Sequence, residues 1–589
     1  MTKYETLVNI LDTIIKEAPA KMHKKYPMHP VSSEESNQAR ARAFVHLYLK
    51  VSFGILDFET REHFICDGAY DGGVDGYYIN SDNKTVYYIQ SKFRTTEKNF
   101  ESKDISLEEL ISMDIDRISV GEELDENGNN YNGKIKTLQK EMSNTDGIGR
   151  YSHLVIILAN LKNVTSAKLR ILTGGFRSEV FDFEQCYDKL VFPVITGTFF
   201  NASDLNINID LSNKNAGSKI SYTVTTKRGE CEITVLFVPA IELAKTMFKY
   251  KNSILKYNPR SYLGHEGKSV NSAIRETIIE TTTNEFALFN NGITMLSDET
   301  NINERIGQKN KAQLSVKNPQ IINGGQTSYT LSRIYEENLI NDVNMVFQNK
   351  EVLLKIITLS DNNNHANKIA LINEISEATN RQTPVINADR ISNDDMHIKL
   401  QKVLFDKFGL LYERKRGEFS DGVLSNYILE SDIIERNSLF RMFYAANGKI
   451  SKAREKRLLI HSNLTFAQAE TNYGIEKACF GFMCFKKFLP PSGIPRKNST
   501  IVLAKVYAMT LLYRPQLFNE YQKAIDDNFD YFNSKWEYFL EKNKEEAQII
   551  GHKFSKKNIP KEESRKNETV SYGSWFNSDR FKVAVLKFF

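Results

Sequence analysis

Nowhere does this chain run about 18 residues without a polar interruption, so its apolar residues come in short packets that must be buried against one another. A chain of 589 residues built this way is too long for one hydrophobic core. At roughly 100–200 residues per domain it divides into about three or four units. The same absence of long apolar runs predicts no membrane span, and the opening Met1-Thr2-Lys3-Tyr4-Glu5 has none of the apolar character of a signal peptide. With 41% hydrophobic and 26% charged residues, the composition excludes a largely disordered chain. Lys and Arg exceed Asp and Glu by 78 to 73, a net charge of +5, so any surface for nucleic acid has to be local. Cys66, Cys186, Cys231, Cys479 and Cys484 form no CxxC pair, which argues against a disulfide framework or structural zinc and fits a reducing cytoplasm.

The pattern predicts an α/β multidomain protein with three regions: 1–200, 201–430 and 431–589. In the first, Ser32 to Leu49 reads as a helix, with Glu35, Ala39, Ala43 and Leu47 along one stripe and Ser32 or Ser33 as its N-cap. Strands are expected at Val74–Asn80, Thr85–Phe93 and His153–Ala159. The segment from Gly121 to Gly149, with its Asn- and Gly-rich middle, reads as an exposed insertion. Further on, a strand at Cys231–Val238 runs into a helix from Ala240 to about Lys251. Beyond residue 430 strand patterns fade, and Thr500–Tyr513 and Pro515–Lys542 carry helical periodicity.

Chemistry concentrates in Cys66-Asp67-Gly68-Ala69-Tyr70-Asp71-Gly72-Gly73-Val74-Asp75-Gly76, followed across a turn by Tyr88-Ile89-Gln90-Ser91-Lys92-Phe93. Side chains alternate along a strand, so Gln90 and Lys92 share a face, and a hairpin brings them toward Asp75. A hard divalent cation, Mg²⁺ or Mn²⁺, takes oxygen ligands, here Asp75 and the Gln90 amide oxygen, with Glu35 as a further carboxylate. Lys92 would orient the attacking water or stabilise charge building on a phosphate. Asp67 and Asp71 read as turn formers, and His63 as structural.

These residues resemble the PD-(D/E)xK nucleases, in particular Mrr-like restriction endonucleases in which Gln replaces the acidic residue before x-Lys. The resemblance spans residues 30–195. It implies a restriction-endonuclease-like core, catalytic roles for Asp75, Gln90 and Lys92, and for Glu35 the place of the helical acid. It also implies DNA in preference to RNA.

Four later blocks, Tyr257-Asn258-Pro259-Arg260-Ser261-Tyr262-Leu263-Gly264, Phe289-Asn290-Asn291-Gly292-Ile293-Thr294, Ile321-Ile322-Asn323-Gly324-Gly325-Gln326-Thr327 and Ala378-Thr379-Asn380-Arg381-Gln382-Thr383, resemble the abortive infection phage resistance (AIPR) family over residues 240–420. That resemblance implies bacterial phage defence with a phage-derived trigger. Physically, Gln320–Ile322 reads as a strand, Asn323-Gly324-Gly325 as a tight turn and Gln326–Glu337 as a helix whose start favours an anion. Arg260, Asn290, Asn291, Asn323, Gly324, Gly325, Gln326 and Arg381 are the candidate pocket, and the competing reading is that Asn and Gly supply positive φ at turns. Tyr412-Glu413-Arg414-Lys415-Arg416 and the basic stretch 551–570 read as solvated faces able to touch phosphate.

Three functions therefore stay open: a metal-dependent defence endonuclease, a sensor that binds nucleic acid or a ligand without turnover, and a toxin-like RNase. Cutting both strands of a duplex would favour a homodimer.

Overall fold

The computed structural model describes residues 1–81, 83–106, 109–110, 112–161, 164–198, 204–210, 220–258, 268–303, 311–339, 342–359, 370–372, 374–376, 378, 394–455, 474–489, 499–513, 520–555 and 572–589. The fold is mixed α/β, with several small sheets and a helical C-terminal region. It divides into two compact units, residues 1–384 with 415–432, and residues 385–414 with 433–589.

The first unit opens with α1 (Lys3–Lys16) and α2 (Ser33–Phe53). Ser32 caps α2, its hydroxyl accepting from the Glu35 N–H at 3.2 Å, and Gly54 ends the helix at φ 66°. A four-stranded sheet follows, made of β1 (Gly76–Asn80), β2 (Thr85–Ser91), β3 (Ser152–Leu158) and β4 (Arg177–Phe181) in that spatial order. β1 and β2 form the expected antiparallel hairpin, whereas β2–β3 and β3–β4 are parallel. Gly76 is required where α2 crosses the sheet, because a Cβ there would lie 2.9 Å from Val45 Cγ1.

Parallel pairing of β2 with β3 needs a long crossover, and this corrects the reading of residues 121–149 as an exposed insertion. Its second half is α3 (Gly133–Asn144), capped by Asn132, whose side chain accepts from the N–H groups of Lys134 and Ile135. Ile135, Leu138 and Met142 recur at three- and four-residue spacing and pack into one core with Val74, Tyr77, Tyr88 and Val155.

The central part builds a five-stranded and a three-stranded sheet. Their strands are β5 (Asp204–Asp210), β6 (Ile220–Thr226), β7 (Gly229–Pro239), β8 (Ile293–Ser297), β9 (Glu299–Asn303), β10 (Lys311–Lys317), β11 (Gln320–Asn323) and β12 (Glu351–Leu359). The larger sheet has the order β11-β8-β12-β7-β6 and the smaller β5-β10-β9. As expected, β7 leads directly into α4 (Ala240–Tyr250), which packs with α6 (Gly325–Glu337); α5 (Lys268–Ile279) lies between them in sequence. Leu243, Met247, Met295, Leu314, Leu331 and Leu354 belong to a core separate from that of the four-stranded sheet.

The second unit is almost wholly helical among its described residues, with one short parallel strand pair, β13 (Leu411–Glu413) and β14 (Ile433–Glu435). Its core includes Trp536 and Trp575, both fully buried. No helix among the described residues is long and apolar enough to cross a membrane.

Candidate functional site

Asp75 sits one residue before β1, where the hairpin register places it opposite the end of β2. Its N–H donates to the Ile89 carbonyl at 2.8 Å, and its carboxylate accepts from the Ser91 N–H at 2.6 Å. Gln90, almost fully buried, donates through Nε2 to the Gly73 carbonyl at 3.0 Å, so a cation at this amide would meet Oε1. The Lys92 N–H continues the pairing to the Leu158 carbonyl of β3 at 3.0 Å. Asp75, Gln90 and Lys92 thus gather at one end of the hairpin. Lys92 exerts an attractive field on Asp75, though no ion pair joins the two among the described residues.

Two further carboxylates join Asp75. Oxygens of Asp67, Asp71 and Asp75 all lie within 4.8 Å of one another. Asp71 does form the turn predicted for it, accepting from the N–H groups of Gly68 at 3.1 Å and Gly73 at 2.9 Å. Asp67 accepts from Arg42 Nε of α2 at 2.8 Å. The turn-former reading of Asp67 and Asp71 was therefore incomplete, because the turn also folds them back beside Asp75. Arg42 was missed altogether; the signal available was its place seven residues, two helical turns, after Glu35 on the same face.

Burial pushes the Asp75 carboxyl up to about 7, with Asp67 and Asp71 adding repulsion, while the Ser91 N–H and Lys92 pull the other way. Burial likewise raises Asp71. Three acids crowded in this way repel one another, and a cation relieves that repulsion. The donor set fits a hard divalent ion, since carboxylate oxygens on opposite sides of such an ion stand roughly 4 to 5 Å apart.

Glu35 is not brought into this cluster. It is exposed, and its carboxylate accepts from the Val31 N–H at 3.0 Å at the head of α2. His63 bonds Glu141 of α3 at 2.5 Å, outside the cluster, as a structural histidine would.

Beside α2 lies a buried polar group made of Tyr26, His46, Arg61 and Glu62. Tyr26 Oη donates to Glu62 at 2.6 Å, and His46 Nε2 lies 3.2 Å from the same carboxylate. Arg61 Nε donates to His46 Nδ1 at 3.3 Å, so the ring proton sits on Nε2 facing Glu62. Burial works against the Glu62 charge, yet the hydrogen bonds from His46 and Tyr26 bring its carboxyl down to about 2.

In the central part, the two glycine-bearing blocks meet. Gly324 is the left-handed N-cap of α6 at φ 82°, and a Cβ there would lie 2.9 Å from the Gly292 carbonyl oxygen. Asn290 Nδ2 donates to Thr327 Oγ1 at 3.2 Å, and its Oδ1 accepts from the Gly292 N–H at 2.9 Å. Asn323 Oδ1 accepts from the Gly324 N–H at 2.7 Å, while Gln326 Nε2 and Thr330 Oγ1 both donate to Asn271 Oδ1. Gly325 packs against Asn258, and Asn291 is exposed. The Asn290–Thr327 bond and the close approach of Gly324 to the Gly292 carbonyl join the two turns, while Asn323 bonds within its own turn and Gln326 ties α6 to α5. Asn258 and Asn271 complete the arrangement and were not singled out from sequence. Arg260 and Arg381 lie outside the described residues.

The basic run after Tyr412 is corrected. Tyr412 is buried, its hydroxyl 2.7 Å from His397 Nδ1. Lys415 is buried too, donating to the carbonyls of Leu255 at 3.2 Å and Lys256 at 2.6 Å. A lysine capping buried carbonyls is unavailable to phosphate. Residues 556–570 of the C-terminal basic stretch lie outside the described residues.

No curated protein and no solved structure matches the chain. Residues 255–473, which contain both glycine turns, match the family model described as AIPR protein, so this central part of the chain is similar to that family.

Proposed function

We propose that this chain is a phage-defence nuclease that hydrolyses phosphodiester bonds, DNA in preference to RNA, with a divalent cation at the aspartate cluster. The observation that carries the reading is the convergence of Asp67, Asp71 and Asp75 at the end of a hairpin that also presents Gln90 and Lys92. The defence role rests on the AIPR match of residues 255–473. A four-stranded mixed sheet with a helix on either side of the hairpin agrees with a restriction-endonuclease-like core.

Asp75 would be the principal ligand, supported by Asp67, Asp71 and the Gln90 oxygen. Mg²⁺ or Mn²⁺, when bound, neutralises phosphate charge and acidifies a water molecule. Lys92 holds a compact positive charge next to the carboxylates and stabilises the phosphate as negative charge grows. Ser91, through its N–H, fixes which way the Asp75 carboxylate turns. The neutral Gln90 contributes less field than a carboxylate, so cation affinity depends on the substrate phosphate and the enzyme is restrained without it.

The test is incubation of wild type and Lys92→Ala with supercoiled plasmid and with RNA, each with Mg²⁺ and with chelator. Plasmid cleavage that disappears both in the variant and under chelation supports the proposal; RNA cleavage with the plasmid intact makes it an RNase. Cleavage of neither polymer favours a sensor without turnover. That second reading has its own observation, since Asp67 is already held by Arg42 and both Asp71 oxygens accept backbone N–H groups.

A further inference from the structure

The loop that carries the aspartates also carries a large side chain that the fold does not employ. Tyr70 stands between Ala69 and Asp71 and is 55% exposed; between Val31 and Val120 it is the one large hydrophobic residue exposed among the described residues. Its backbone is left-handed, at φ 60°. A bulky side chain in that region is an outlier, because its Cβ crowds the following carbonyl oxygen, and glycine would hold the same turn without strain. Among the described residues no ring stacks on Tyr70 and nothing bonds its hydroxyl, so no contact made by the side chain offsets the strain.

The conformation is imposed from both sides. Asn132, the cap of α3, donates its N–H to the Tyr70 carbonyl at 2.9 Å and its side-chain amide to the carbonyls of Cys66 at 3.0 Å and Ala69 at 3.4 Å. On the other side, the Asp71 carboxylate accepts from the N–H groups of Gly68 and Gly73. Gly68 and Ala69 are small and exposed, so the phenol ring is the bulky group at the tip of the loop. Asp71 follows directly, and consecutive Cα atoms stand about 3.8 Å apart, so the ring is anchored beside the carboxylates of Asp67, Asp71 and Asp75. Strained residues persist where the surrounding structure over-determines them, and they cluster at sites that hold ligands.

We propose that Tyr70 is a stacking platform for an unpaired nucleobase next to the phosphate held at the aspartate cluster, so that the preferred substrate is single-stranded or frayed DNA rather than intact duplex. The inference rests on the nuclease reading above and adds the substrate class to it. A nucleotide whose phosphate sits at the cluster has its base within reach of a side chain as long as that of tyrosine. An aromatic face accepts any base, and one stacked base strengthens binding by roughly tenfold or more. Bases inside a duplex already stack on their neighbours, so the ring gains one only where pairing is broken. Negative supercoiling opens a duplex locally and offers such bases in a plasmid. A loop held in place by Asn132 and Asp71 loses little further freedom when it binds.

The experiment titrates the full chain into a short fluorescein-labelled single-stranded DNA, and into the same sequence as a blunt duplex, with Ca²⁺ in place of Mg²⁺. Anisotropy is read for wild type, Tyr70→Gly, Tyr70→Ala and Tyr70→Trp, and amide exchange of β1 and β2 reports local stability. Wild type is expected to bind the single strand more tightly than the duplex. Tyr70→Gly should bind the single strand about tenfold more weakly while exchanging no faster than wild type, since it removes the ring and the backbone strain together, and Tyr70→Trp should bind as wild type does. Should glycine loosen the loop, Tyr70→Ala against Tyr70→Trp decides, because both keep the strain and only the second keeps a ring. Affinity unchanged in Tyr70→Gly, no difference between Tyr70→Ala and Tyr70→Trp, no preference for the single strand, or no binding by wild type overturns the proposal. Cleavage in Mg²⁺ is read separately: its absence alongside Tyr70-dependent binding removes the nuclease reading and leaves the stacking, whereas cleavage alongside unchanged Tyr70→Gly binding does the reverse.

Discussion

Replacing Asp75 with Asn is expected to make the metal-free protein locally more stable while removing the cleavage proposed above. Burial, then the neighbouring Asp67 and Asp71, lift the Asp75 carboxyl from 3.8 to about 7. At about 1.36 kcal/mol per unit, holding it ionised costs about 4 kcal/mol, and about 2 kcal/mol after allowance for solvent screening. The direction follows from proton counting. Between pH 4 and 7 the folded chain binds more protons at this site than the unfolded chain, so stability falls as pH rises. The cost is absent below pH 4 and complete above about 7. Asn carries no charge and still offers an oxygen to the Ser91 N–H. Both tryptophans lie in the C-terminal unit, so their fluorescence is uninformative here, and amide hydrogen exchange of β1 and β2 is the suitable assay. In chelator, exchange in Asp75→Asn should be slower than in wild type at pH 8 and equal at pH 4. Mg²⁺ should slow exchange in wild type alone. A variant that exchanges as fast as wild type, or faster, at pH 8 would refute the idea that the cluster stores repulsion for a cation to relieve.

Two further outcomes follow from the geometry. Glu62→Gln should destabilise the N-terminal α/β part by about 2 kcal/mol at pH 7, from a carboxyl lowered from 4.5 to about 2 and discounted for screening. That stability is present above pH 4.5 and lost as pH falls through 2, so thermal melts of variant and wild type should converge in acid, and a constant gap would contradict the assignment. Gly324→Ala should cost about 2–4 kcal/mol in local stability, from left-handed backbone and from the close approach to the Gly292 carbonyl, and exchange of the α6 amides measures it; a loss under about 1 kcal/mol would mean the two turns are not locked together.

Local features were legible in the sequence. The Ser32 cap, the β1–β2 hairpin and the strand, glycine and helix of residues 320–337 each rest on contacts between residues close in the chain. Patterns of period two or 3.6 and turn chemistry report such contacts directly. Long-range partners left no such mark. Arg42 meets Asp67 across 25 residues, and Lys415 finds the carbonyls of Leu255 and Lys256 about 160 residues away. A basic run in sequence does not reveal that its middle lysine is buried. α3 was readable from Ile135, Leu138 and Met142, but the turn residues just before it suggested a surface loop. Glu35 lay on the right helix, at a position occupied with capping.

The hydrogen bond from Ser91 to Asp75 closes within a single hairpin, and Asp67 and Asp71 lie on the approach to it. Hairpins of this size form in about 1–10 μs, long before slow pairing across the β2–β3 crossover is complete. During N-to-C synthesis the hairpin and its acidic loop leave the ribosome before the AIPR-like segment, residues 255–473, has been made. The oxygens that would hold a cation, those of Asp67, Asp71, Asp75 and Gln90, thus all come from one short stretch of chain, and the later segment contributes none of them.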